Sequence, residues 1–220
     1  MEKDRLMEFL KQLTSEERLE LFKLLRKEIS IHALEAELNT QAEVILEAMA
    51  RSSDLTMRGI RGIIAEAAFL VEVLQKLKGW RIGNIAGNAA YDFLIEDVVG
   101  RISIQVKMQR RERGVPLLRQ EKFVVETQKT RGGRNSTGEE TRPYRFGEFD
   151  ILAVSLHPST NDWSRFAYTV GRWLRPRSAS PHLLEVFQPV SLAPNDDWTD
   201  SLETCIRWFR SGTEKSIAPF

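Results

Sequence analysis

The sequence predicts an α/β chain of the α+β type: a helical N-terminal extension, then a central mixed sheet of about four to five strands flanked by helices. Three changes of period carry this reading. Apolar residues recur at helical spacing as far as Leu77, alternate with period two after Lys78-Gly79, and return to helical spacing between Asp196 and Arg210. Strands that follow a long helix and are followed by another are expected to form a sheet covered by helices.

Taken in order, Leu6, Phe9, Leu10 and Leu13 mark a first helix. Thr14-Ser15-Glu16-Glu17 then supplies cap candidates and first-turn acids for a second, which carries Leu19, Leu21, Phe22, Leu25 and Ile29. A third helical pattern covers roughly His32 to Met49, Ser52-Ser53-Asp54 punctuates it, and a strong helix is expected from about Thr56 to Leu77. A boundary near Asp54 gives two regions, 1–54 for packing or dimerisation and 55–220 for the main domain. Trp80-Arg81-Ile82 starts a short strand, Tyr91 to Glu96 and Arg101 to Lys107 form the arms of a hairpin, and further strands are expected at Phe123 to Gln128 and Phe149 to Leu156. Residues 131–138 have the small-residue composition of a mobile loop, ordered by a ligand, and carry Arg131 and Arg134. The last helix runs through Trp198, Leu202, Ile206 and Phe209, with Thr199 or Asp197 as its cap.

Composition narrows the function. A single cysteine, Cys205, excludes an intrachain disulfide and a cysteine metal cluster. The opening Met-Glu-Lys-Asp lacks the basic start and apolar run of a signal peptide, and no apolar run approaches the ~20 residues of a membrane span, so a cytoplasmic chain without a membrane partner is expected. His32, His157 and His182 are too scattered for a zinc site or a nucleophile triad, and the absence of a phosphate-binding glycine loop argues against a nucleotide cofactor. The net charge of +1 conceals a strong asymmetry. Residues 1–50 hold seven Lys or Arg against eleven Asp or Glu, whereas Lys107 to Arg145 holds eleven basic residues against five acidic ones. A basic segment of this kind is the footprint expected where phosphates bind.

The hairpin concentrates the chemistry. An even turn centred on Val98 and Val99 pairs positions whose numbers sum to 197, which sets Asp92 opposite Gln105 and puts Asp92, Gln105 and Lys107 on one face. A carboxylate, an amide and an ammonium so placed suit a divalent ion and a cation beside a phosphodiester. Glu66, among alanines and isoleucines on the preceding helix, is costly to bury unless paired or bound to a cation, and Gly59 and Gly62 on its side of the helix allow a close approach.

With Glu66, Asp92 and the Gln105-Val106-Lys107 strand in this order, the stretch from Gly59 to Leu156 resembles the PD-(D/E)XK nuclease superfamily, in particular type II restriction endonucleases. The resemblance implies a restriction endonuclease-like fold and one or two magnesium ions, manganese being a substitute. It makes Asp92 the central metal ligand, Gln105 the replacement for a second carboxylate, Val106 a further metal position and Glu66 a ligand direct or through water. Lys107 then orients the attacking water and stabilises phosphate charge. Tyr91 stands where the family name has proline and Gln105 where it has Asp or Glu; an amide oxygen still ligates magnesium, with one formal charge fewer. A second arrangement stays open, in which Glu126 and Gln128 form the metal strand beside Asp92, and Asp150 is a further alternative. Arg110, Arg111, Arg113, Lys129, Arg131, Arg134, Arg142 and Arg145 are the candidates for gripping DNA. The expectation is a magnesium-dependent, site-specific endonuclease for double-stranded DNA, acting as a homodimer on palindromic sites. Its rivals are a structure-specific resolvase or repair nuclease, and a catalytically inactive DNA-binding module.

Overall fold

The computed structural model describes residues 2–85, 89–129, 132–133, 138 and 141–220. The chain divides into two compact units, Met1–Met57 and Arg58–Phe220.

The first unit is helical: α1 (Glu2–Gln12), α2 (Ser15–Glu28), α3 (Leu34–Glu37) and α4 (Ala42–Ala50), with the start of α5 (Asp54–Glu72). A capping box opens α2, in which Thr14 Oγ1 accepts from the Glu17 amide at 3.2 Å and the Thr14 amide donates to Glu17 Oε2 at 2.7 Å. The single helix expected over 32–49 is instead two. Asn39 takes a left-handed conformation (φ 48°), and the Ala42 amide, which a continuous helix would have used internally, donates to Glu35 Oε1 at 2.7 Å. Glu35 also accepts from the Ile31 amide at 2.6 Å and from the Arg26 guanidinium. These donors, the Ala42 amide foremost, hold its carboxyl at about 2 against the opposing effect of burial.

The second unit holds a five-stranded mixed sheet, so the expected class is the one the chain adopts. Its strands, in spatial order, are β1 (Arg81–Ile82), β2 (Phe93–Glu96), β3 (Arg101–Met108), β8 (Ile151–Ser155) and β9 (Phe166–Val170). The remaining strands are β4 (Arg111–Glu112), β5 (Val115–Pro116), β6 (Leu118–Arg119), β7 (Lys122–Glu126), β10 (Pro176–Arg177), β11 (Ser180–Leu184) and β12 (Phe187–Val190), and the helices are α6 (His157–Thr160) and α7 (Leu202–Arg210). The β2/β3 hairpin has the register the alternation demands, Phe93 opposite Ile104 and Glu96 opposite Arg101. Asp97 closes its turn by accepting from the amides of Val99 and Gly100. β3 is parallel to β8 and antiparallel to β2, and every residue of β8 and β9 is buried. Phe69 of α5 anchors the helix to this sheet: fully buried, its ring lies 5.5, 5.2 and 6.3 Å from those of Phe93, Phe166 and Tyr168. Burying such a side chain contributes roughly 1.5–3 kcal/mol.

Two expectations are corrected here. The strand over 123–128 lies outside the central sheet, as the middle of a separate three-stranded sheet in the order β12-β7-β6. The last helix starts at Leu202 with Ser201 as its cap, because Thr199 is engaged in an antiparallel bridge to Tyr168.

What matters most for function is a notch. β2 accompanies β3 as far as Ile104; β7 joins the same edge at Gln109, which bridges Val125, and at Arg110, whose amide donates to Val124 at 2.7 Å. Between them, among the described residues, no strand borders β3 on that edge.

Candidate active site

The notch leaves the Val106 amide and carbonyl without strand partners, and side chains take them instead. Asp92 Oδ2 accepts from the Val106 amide at 2.8 Å, and Gln105 Nε2 donates to the Val106 carbonyl at 3.1 Å. The same Nε2 donates to Asp92 Oδ2 at 2.5 Å. A partly positive amide group therefore stands between a carboxylate and a backbone carbonyl. Gln105 is buried, while Asp92, Lys107 and Glu66 are half-buried.

The charges are coupled. Glu66 is pushed up to about 7, first by burial and then by the negative charge of Asp92, against the pull of Lys107. Asp92 is raised by burial, against the Val106 hydrogen bond and the Lys107 charge. Burial lowers Lys107, against the attraction of Asp92, Glu66 and Glu126. Its amine lies 5.3 Å from the ring centroid of buried Tyr144, whose hydroxyl is raised by burial and by the charges of Asp92, Glu148 and Glu66. The Asp92 and Glu66 carboxylates and the Val106 carbonyl are oxygen ligands of the kind a hard divalent ion takes, while Gln105 meets Asp92 and that carbonyl with its amide nitrogen; no three His, Cys, Asp or Glu side chains among the described residues form a metal cluster.

The other candidates have different partners. Glu126 is engaged by the Arg110 guanidinium and, at 3.7 Å, by Arg142. The structure thus sets Gln105, not Glu126, on Asp92. Gln128, half-buried, bridges Pro143. Asp150 is a bracket between β3 and β8, accepting from the Ser103 amide at 2.8 Å and its hydroxyl at 2.7 Å, which leaves that carboxylate oxygen committed to fold. An added Cβ at Gly59 or Gly62 would meet no atom within 4 Å, so the close approach expected there is not made by the described residues; the helix is open beside Glu66.

Of the basic residues, Arg110 and Arg119 both lie over the Phe187 ring, at 5.0 and 4.9 Å. Arg111 and Arg113 are exposed at the β4/β5 hairpin, Arg142 is exposed, and Arg145 bridges Leu183. Arg131 and Arg134, with most of the loop expected to be mobile, lie outside the described residues. The sequence reading missed two residues. Tyr144 had no local signal. Gln109 had one, being two residues beyond Lys107 on the same strand face; it is fully buried, with neither side-chain polar atom hydrogen-bonded among the described residues.

No helix of the described residues is long and apolar enough to cross a membrane. No family model matches the chain, and no curated protein matches it. Among solved structures the chain is similar to the bacterial homing endonuclease I-Ssp6803I, at 20% identity and a TM-score of 0.40, over 70% of this chain and 94% of that one. A likeness of that strength supports no inference about this chain.

Proposed function

We propose that the protein is a magnesium-dependent endodeoxyribonuclease of restriction type, cleaving phosphodiester bonds in double-stranded DNA. The observation that carries this reading is the position of the Gln105 amide nitrogen, between Asp92 Oδ2 at 2.5 Å and the Val106 carbonyl at 3.1 Å, with Lys107 next on the strand. Carboxamide oxygen and nitrogen are close in shape, so a half-turn of the Gln105 side chain would present an oxygen where the donor now stands. Asp92, the Val106 carbonyl, Gln105 and Glu66 would then hold magnesium, or manganese in its place. When bound, such an ion polarises the phosphoryl group and acidifies water. Asp92 fixes the site to β3 through the Val106 amide, and the Lys107 ammonium would neutralise charge on the phosphate and orient the attacking water. The exposed arginines of the β4/β5 hairpin supply backbone contacts. Two chains related by a two-fold axis would address both strands of a palindromic site.

The experiment is to incubate the purified protein with unmethylated plasmid and magnesium and to sequence any ends. Discrete fragments support site-specific cleavage; cutting confined to branched substrates would move the reading to a structure-specific nuclease. A second reading has its own observation: the hydrogen bonds from Gln105 to Asp92 and Val106 also close the notch without a cation, as in a DNA-binding module on an inactive nuclease core. Duplex binding with intact plasmid in magnesium and manganese would establish it.

A further inference from the structure

Two amines share one ring. Lys107 Nζ lies 5.3 Å and Lys129 Nζ 5.2 Å from the centroid of Tyr144. The ring is itself fixed, 4% exposed and packed edge-on against Phe149 with centroids 5.3 Å apart. Attraction to a partly desolvated aromatic face biases where each amine rests. Tyr144 thereby gives Lys129 and Lys107, the lysine proposed for the phosphate, a common aromatic partner.

The two lysines differ in their counter-ions. Among the described residues no carboxylate lies within ion-pair distance of Lys107, whereas Lys129 Nζ donates to Glu148 Oε1 at 2.6 Å. The other Glu148 oxygen accepts from the Arg145 amide at 2.9 Å, which ties the carboxylate to the turn before β8. Glu148 neutralises Lys129 while no polyanion is present. A phosphodiester arriving at Lys107 brings a competing negative charge to the same place. We propose that Lys129 is a second phosphate-binding cation of the cleavage site, and that Glu148 is the counter-ion it exchanges for substrate. This rests on the reading of the Asp92–Lys107 notch as a phosphodiester site.

The test is fluorescence anisotropy of a duplex oligonucleotide across a salt series with divalent ions chelated, alongside magnesium-dependent plasmid cleavage by the same preparations. Lys129→Ala should weaken binding roughly tenfold and flatten the slope of log K against log salt by about 0.9. Glu148→Gln keeps an acceptor for the Arg145 amide and removes the charge, so binding should tighten several-fold; in a Lys129→Ala background the same change should gain much less. Wild-type affinity and slope in Lys129→Ala would overturn the proposal, as would an equal gain from Glu148→Gln with and without Lys129. Wild-type protein that cuts DNA while Lys129→Ala binds normally removes the second cation alone. Wild-type protein that binds but never cuts removes the nuclease reading, and the lysine is then judged on binding. A wild type that binds no duplex overturns both.

Discussion

If the notch holds a divalent ion as proposed, protonation of Glu66 should control its affinity. Burial and the neighbouring Asp92 charge raise Glu66 from its ordinary 4.5 to about 7, so in the free protein it carries a proton through mildly acidic pH. A divalent ion takes only the carboxylate, and binding below that value must expel the proton. With one proton released, the binding constant should rise about tenfold for each pH unit below 7 and level off above it, which makes affinity at pH 6 roughly a tenth of the plateau. Glu66→Gln has no proton to lose there, and its profile should be flatter and lower. Calorimetric titration with manganese in buffers of different ionisation enthalpy counts the protons directly. Equal proton release and parallel pH profiles in wild type and Glu66→Gln would refute the reasoning and place Glu66 outside the reach of the ion.

The same shift has a consequence for stability, with the sign fixed by linkage. Between 4.5 and about 7 the folded protein holds a proton that the unfolded chain has lost, so metal-free stability should fall as pH rises through that window and stay low above it. The loss should be on the order of 1 kcal/mol, since solvent screens a half-buried group. Chemical denaturation of the metal-free protein should show this decline in wild type and not in Glu66→Gln.

Asp92→Ala and Lys107→Ala should each abolish cleavage while far-ultraviolet circular dichroism stays unchanged; an active Lys107→Ala protein would show that the lysine of the site has been misassigned. Gln105→Glu should remain active or change its preferred metal, and Gln105→Leu should be inactive, so a leucine variant that cuts plasmid removes Gln105 from the ion. Gln109→Met should stabilise the protein by about 1 kcal/mol in urea, because a buried amide without partners carries an uncompensated desolvation cost; destabilisation would reveal a partner for that amide.

The hairpin was legible because its information is local: alternation and an even turn determine which residues face each other, and Asp92 meets Gln105 as that arithmetic requires. What was not legible depends on partners far along the chain. Asp150 looks like any acid at a strand start until Ser103, 47 residues earlier, takes its carboxylate. Glu35 lies within the helical pattern of residues 32–49, and only the folded unit shows it gathering Arg26 and the amides of Ile31 and Ala42. Phe166-Ala167-Tyr168-Thr169-Val170 is buried along its whole length, so β9 has no alternation to mark it as a strand. Glu148 and Lys129 meet across 19 residues and a loop, where period carries no information.

Glutamine at position 105 is best understood through the charges around it. Asp92 already raises Glu66, and a third carboxylate in the notch would raise it further, holding a proton where an ion should bind. An amide supplies an oxygen without that repulsion, at the cost of a weaker pull on the ion. In the free protein its nitrogen satisfies Asp92 and the Val106 carbonyl together, so the notch is closed on itself. Opening it forfeits two hydrogen bonds, each worth about 1 kcal/mol net. Ion binding must first offset that loss, so Gln105→Glu, which cannot make these donations and adds a charge, should bind manganese more tightly above the pH at which its own new carboxyl ionises and lose that advantage below it.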